Sequence, residues 1–149
     1  MTDTVNQQTR SKIMSQVKNK NTNIEIIVRK ALFAKGFRYK INDKKLPGSP
    51  DIVLPKYRAV IFVNGCFWHG HHCPKGKPPK SNIKYWKDKI IKNQQRDEIN
   101  INQLLNQGWK VAIVWECTLK GKSAFPMKKI LLTLENWLKV GSGKIEISI

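Results

Sequence analysis

The chain has 149 residues, and 28 Lys and Arg against 10 Asp and Glu give it a formal charge of +18. This length allows one domain with a real core and is short for two, and a 40% hydrophobic, 26% charged composition excludes a low-complexity tail. No stretch approaches the roughly 18 apolar residues of a membrane span, and the opening Met1-Thr2-Asp3-Thr4-Val5-Asn6 lacks a signal peptide's apolar core, so a soluble, cytoplasmic protein is expected.

Residues 1 to 8 are polar and are expected to form a mobile arm. A short helix is predicted from about Thr9 to Val17, with Ile13, Met14 and Val17 on one side. Thr22 and Glu25 form a capping-box pattern, in which each side chain can bond the other's backbone N–H. The apolar set Ile24, Ile27, Val28, Ala31 and Leu32 then recurs at helical spacing, and Gly36 is a natural stop. Phe37 to Ile41 alternates like a strand with one buried face, and Leu46-Pro47-Gly48-Ser49-Pro50 reads as a loop.

Two apolar runs, Asp51 to Leu54 and Ala59 to Val63, are joined by four residues, which suits an antiparallel hairpin. Pairing Leu54 with Ala59 sets Asp51 opposite Phe62, with Val63 and Asn64 just beyond. Residues 64 to 80 are rich in Gly, Pro, His and Cys, a long loop that needs something to hold it. Ser81 is a candidate cap for a helix ending near Gln107, with Gly108 as its stop. Trp109 to Trp115 reads as a buried, central strand, and Pro126 suits the first turn of a last helix carrying Ile130, Leu131, Leu134, Trp137 and Leu138. Residues 139 to 149 carry no recognisable motif, and no repeat or domain boundary is visible, so residues 1–149 are expected to form a single domain.

The basic residues, 23 of them Lys, are spread along the chain and should draw it to a polyanion through solvated point charges suited to phosphate. All three His residues, His69, His71 and His72, lie close to Cys66 and Cys73. Cys66, His71 and Cys73, completed by Cys117 beyond the next strand, make a Cys3His set typical of a closed structural zinc site, with His72 as the alternative to His71. Asp51, beside the backbone carbonyls of the neighbouring strand's end, is a candidate Mg²⁺ ligand, against the plainer reading that it only opens a strand after Pro50. His69 lies between zinc ligands without being needed as one and is suited to proton transfer. Glu25 could assist there, or only cap its helix. Phe67 and Trp68, joined by Trp86, fit either the core or a wedge that kinks a duplex. Lys89 and Asn93 share a helix face, as do Asn93 and Asp97, and that face is either solvated or turned to base edges in a groove.

Leu46-Pro47-Gly48-Ser49-Pro50-Asp51, Phe62-Val63-Asn64-Gly65-Cys66-Phe67-Trp68-His69-Gly70-His71, Asn93 with Arg96-Asp97, and Gly108-Trp109 through Val114-Trp115-Glu116-Cys117 resemble the very-short-patch-repair (Vsr) DNA mismatch endonucleases. Thr9-Arg10-Ser11 with Met14 also fits, and the likeness runs from about Thr9 to Trp137. The resemblance implies an α/β, restriction-endonuclease-like fold, a mixed central sheet flanked by helices, here with a zinc-stapled loop. It implies a nuclease that nicks duplex DNA 5′ of a T mispaired with G, as arises when 5-methylcytosine deaminates. By the same resemblance Asp51 and the Val63 carbonyl bind Mg²⁺, and His69 and Glu25 assist the attacking water. Zinc takes Cys66, His71, Cys73 and Cys117. Phe67, Trp68 and Trp86 form an intercalating wedge, and Met14, Lys89 and Asn93 touch the mispair. The expected protein is a monomer whose further partners are other mismatch-repair proteins.

One position departs from the pattern. Restriction-like nucleases often carry (D/E)-x-K on the second motif strand, whereas this strand ends Phe62-Val63-Asn64. Where Asn64 stands, members of the family commonly carry His or Asp. Its amide can hold a cation or a water at the catalytic site but cannot transfer a proton. The alternatives are a non-catalytic mismatch- or structure-binding protein on the same fold, and a restriction endonuclease that cuts matched sites in both strands.

Overall fold

The computed structural model describes residues 22–149; the predicted arm, the Thr9–Val17 helix and Met14 lie outside the described residues. Helix α1 (Asn23–Ala34) is capped by Thr22, whose Oγ1 accepts the Glu25 N–H. It ends as Gly36 predicts. With Gly36 at φ +92°, the Phe37 N–H reaches the Leu32 carbonyl and the Gly36 N–H that of Phe33, a Schellman closure. Gly108, at φ +88°, closes helix α2 (Ile83–Asn106) in the same way, through Trp109 to Leu104 and its own N–H to Leu105. The start of α2 differs from expectation. Asn82, in the left-handed conformation, is the cap residue instead of Ser81.

Five strands follow in spatial order β1 to β5: Lys40–Ile41, Ile52–Leu54, Ala59–Asn64, Lys110–Trp115 and Lys144–Ile147. The first is shorter than the alternation of Phe37 to Ile41 suggests, because only Lys40 and Ile41 find partners, in Val53 and Ile52. The hairpin has the expected register, Leu54 opposite Ala59, and its four-residue link is a 3-10 turn closed by Arg58 at φ +50°. Strands β3 and β4 run parallel, so the chain between them must cross over, and the cysteine-rich loop and α2 make that crossing. Helix α3 (Met127–Val140), with Pro126 just ahead of its first turn, makes the next. It leads into β5, parallel to β4, which sequence reading missed.

The alternation of β2 to β4 sorts the core into two layers. Ile52, Leu54, Ile61, Val63, Ala112 and Val114 pack against α1 and α3 through Val28, Leu32, Ile130, Leu134 and Trp137. On the other face Val53, Val60, Val111, Ile113 and Trp115 meet Ile101 and Leu104 of α2 and the three cysteines. The result is a five-stranded mixed sheet between helices, the restriction-endonuclease-like arrangement. Among the described residues, no helix is long and apolar enough to cross a membrane.

Candidate active site and metal centre

The ends of β2 and β3, the start of α1 and the middle of α2 enclose an open cleft of about 1220 Å³, lined by Glu25, Asp51, Val63, Asn64, His69 and Asp97 among others. Asp51 stands just before β2, where the hairpin register sets it against the end of β3. The Val63 N–H donates to Asp51 Oδ2 at 2.6 Å. In an extended strand the N–H and C=O of one residue leave on the same side, so the Val63 carbonyl faces Asp51 as well.

Glu25 comes from α1, buried and paired with Arg29 at 2.9 Å. Its carboxyl meets that of Asp51. Burial, then the nearby Glu25 charge, pushes Asp51 up to about 7, against the Val63 N–H and Arg29, which favour the ionised form. Two carboxyl groups converging beside a backbone carbonyl form a hard-oxygen set of the kind a divalent cation takes. Asn64, buried at the last β3 position opposite Trp115, completes that wall of the cleft.

His69 faces the same cleft. Its Nδ1 is hydrogen-bonded to Asp97 Oδ2, which leaves Nε2 as the nitrogen free to exchange a proton. Two further α2 residues hold the loop around it: Asn93 donates to the Trp68 carbonyl at 2.9 Å, and Gln94 to the His69 and Gly70 carbonyls at 3.2 and 3.3 Å. Asn93 thus braces the loop, and its oxygen accepts from Arg96 at 2.7 Å. Lys89 is exposed on the same helix.

Phe67, Trp68 and Trp86 come together edge to face, with ring centroids 5.2 to 5.9 Å apart. Trp86 is buried, so it is the floor on which the half-exposed Phe67 and Trp68 stand.

Directly after β3 the chain enters the metal centre. The ligand atoms of Cys66, His71, Cys73 and Cys117 lie within 4.8 Å of one another, and all four residues are buried. His71 Nδ1 is 3.6 Å from both Cys66 Sγ and Cys117 Sγ, whereas His72 is exposed and bonds the Ile149 backbone oxygen. This separates the two candidates in favour of His71. Burial, with the Cys73 and Cys117 thiols adding to it, holds the Cys66 thiol well above its ordinary range, and burial lowers His71. A cation that takes thiolates would displace those protons. Gly76 is required by close approach, since a Cβ there would stand 1.9 Å from the His71 carbonyl oxygen.

Sequence reasoning gave no role to four residues of these two sites. Asp97 orients His69, and its shared face with Asn93 was the available signal. Arg29 pairs with Glu25 four residues away, a spacing visible in the sequence. Glu116 accepts the Cys66 N–H at 3.1 Å, and its place beside Cys117 hints at that. Ser148, bonded to His71 across 77 positions, left no signal.

The model of the family described as DNA mismatch endonuclease Vsr matches residues 2–75. The Type II nicking enzyme V.NmeAIP of Neisseria meningitidis serogroup A is 51% identical over 123 residues, covering 83% of this chain and 88% of that protein. V.XorIIP of Xanthomonas oryzae pv. oryzae, also a Type II nicking enzyme, is 47% identical over 83% of this chain and 91% of its own length. The DNA mismatch endonuclease Vsr of Escherichia coli K12 is 41% identical over 138 residues, 93% of this chain and 88% of that one.

Proposed function

From the premise that the chain belongs to the Vsr DNA mismatch endonuclease family and is a DNA endonuclease, we propose that it nicks one strand of duplex DNA 5′ of a T mispaired with G. The observation that carries this reading is the convergence of Asp51, Glu25, the Val63 backbone and a carboxylate-oriented His69 in one cleft beside an aromatic pair. Asp51 and the Val63 carbonyl would hold Mg²⁺, which supplies a polarised water and positive charge for the phosphate in flight.

The rest falls to the chain's own groups. Asp97 fixes the His69 ring so that Nε2 can take a proton from the attacking water or give one to the leaving oxygen. Glu25, held by Arg29, accepts hydrogen bonds on the opposite side of the water's approach. Asn64 positions a water without moving its proton. Phe67 and Trp68, backed by Trp86, enter the base stack beside the mispair, with Lys89 and Asn93 touching the mispair region and Asn93 also bracing the loop. Met14 is assigned to the mispair region by family likeness alone.

The second centre is structural in this reading. Cys66, His71, Cys73 and Cys117 would hold Zn²⁺ in a closed tetrahedral set that leaves no position for substrate. The whole chain acts as one nuclease domain, a monomer working in the cytoplasm with other mismatch-repair proteins.

The test is an end-labelled duplex with one T·G pair in a methyltransferase-type site, incubated with Mg²⁺ or EDTA beside a matched T·A duplex. A single Mg²⁺-dependent nick on the T strand, absent from the matched duplex, is expected. Binding without a nick across several site sequences would overturn the reading in favour of a binding protein. Cleavage of both strands in the matched duplex would point to a restriction enzyme.

Asp97→Asn tests the proton path. An amide keeps the shape but no longer stabilises a charged imidazole, so nicking should fall by about 10- to 100-fold, with the acid limb of the pH–rate profile displaced. An unchanged rate and profile would remove Asp97 from the mechanism.

A further inference from the structure

Ser148 follows the last residue of β5, far in sequence from either site, yet its Oγ lies 2.8 Å from His71 Nε2. We infer that Ser148 is a positioning residue for the metal centre, accepting the Nε2–H of His71 and thereby turning the Nδ1 lone pair toward Cys66 and Cys117. The inference rests on the zinc reading of the Cys3His cluster.

Three observations converge on it. The first is the direction of the hydrogen bond. The Ile149 backbone oxygen, 3.1 Å away, offers the single Ser148 hydroxyl proton an acceptor, which leaves the Ser148 oxygen able to accept from His71 Nε2. An accepted Nε2–H fixes the tautomer in which Nδ1 is unprotonated, and Nδ1 is the atom 3.6 Å from two thiols.

The second is the sheet register. Val114 pairs with Ile147, so the next step of the parallel ladder brings Ser148 beside Trp115. Trp115 stacks on the His71 ring, 4.1 Å between centroids and 17° from coplanar. Ile147 faces the layer of α1 and α3. The period of two then turns Ser148 to the opposite face, where the cysteines lie.

The third is that the Ile149 oxygen also accepts from His72 Nε2, at 3.2 Å. One short segment after β5 thus fixes both neighbouring imidazoles, one through a hydroxyl and one directly. His72, which is not needed as a ligand, gains a role in holding that segment over the loop.

The experiment uses the full chain as purified. Zinc content is measured first, then the rate at which an excess of a chromogenic chelator strips the metal, for the parent, Ser148→Ala and Ser148→Thr. Imidazole ¹⁵N–¹H spectra report the tautomer of His71 and the protection of its Nε2 proton. Ser148→Ala should release zinc about 10- to 100-fold faster and lose the protected Nε2–H signal, while Ser148→Thr, which keeps the oxygen, restores both toward the parent. Ser148 is half-buried at the end of an edge strand, so the alanine variant should keep the parent's circular dichroism. Equal release rates and an unchanged imidazole signal in Ser148→Ala would overturn the inference and leave the zinc reading standing. A parent protein purified without zinc would overturn that reading, and the inference with it.

Discussion

Asp51→Ala should abolish nicking, by at least about 10³-fold, while duplex binding and the fold persist, because on the proposed reading a metal-activated water and several kcal/mol of charge stabilisation would depend on that carboxylate. Asp51 stands before β2 rather than in the core, and its hydrogen bond to the Val63 N–H is the main link that the substitution removes. Asp51→Asn gives a second readout that separates chemistry from folding. In the metal-free protein the Asp51 carboxyl titrates near 7 rather than at 3.8, chiefly through burial and then through Glu25.

A carboxyl with a raised folded pKa holds its proton in the native state after the unfolded chain has released it. Its contribution to stability is therefore present at low pH and is lost as pH rises from about 4 to about 7. Asn at this position removes that loss. The metal-free Asp51→Asn protein should melt at a higher temperature than the parent at pH 8, and the advantage should vanish at pH 4. Mg²⁺ should raise the parent's melting temperature at pH 8 and leave the variant's unchanged. Full cleavage by either variant would refute the assignment of Asp51 as a metal ligand.

The second large effect is expected from Cys73→Ala. Structural zinc in small domains contributes about 10–16 kcal/mol of apparent binding energy, and three remaining ligands hold the ion poorly. The centre joins the loop after β3 to the turn after β4, so its loss frees the segment that carries Phe67, Trp68 and His69. The variant should purify with far less than one zinc per chain and melt at least about 10 °C lower, since each kcal/mol moves the midpoint of a domain this size by several degrees. A strong chelator should bring the parent's melting curve toward the variant's and leave the variant's where it is. A variant with full zinc and an unchanged midpoint would refute the Cys3His centre.

The features legible in the sequence are those written in local chemistry. Gly36 and Gly108 marked helix ends because only glycine takes their positive φ cheaply. The hairpin register followed from a four-residue link between two apolar runs, and with it the placement of Asp51 against the end of β3. Cys66, His71, Cys73 and Cys117 were legible as a set because metal chemistry restricts residue type so strongly.

What stayed hidden depends on parallel pairing across long separations. Strand β5 is four residues of Lys-Ile-Glu-Ile, too short to stand out, and it forms because β4 offers an open edge once α3 has crossed. Ser148 is invisible for the same reason. That Asn93 also braces the loop was hidden, because a helix face in a sequence does not reveal which loop will fold back on it. Trp86 could be read as core or wedge, and the structure buries it edge to face with Phe67 and Trp68.

Helix α2 carries the chain across between β3 and β4, and its length has a mechanical meaning of its own. At 24 residues it is about 36 Å long, with Trp86 near one end and Ile101 and Leu104 anchored in the sheet layer near the other. A base stack that is pried open pushes back on whatever holds it apart. In this chain that force would pass from Phe67 and Trp68 through Trp86 into the helix axis, and from there into the sheet. The helix would then work as a strut, with the Asn93, Gln94 and Asp97 bonds along its length tying the loop to it. On the proposed reading, a rigid strut of this kind would let the domain hold the wedge in place while the duplex bends around it.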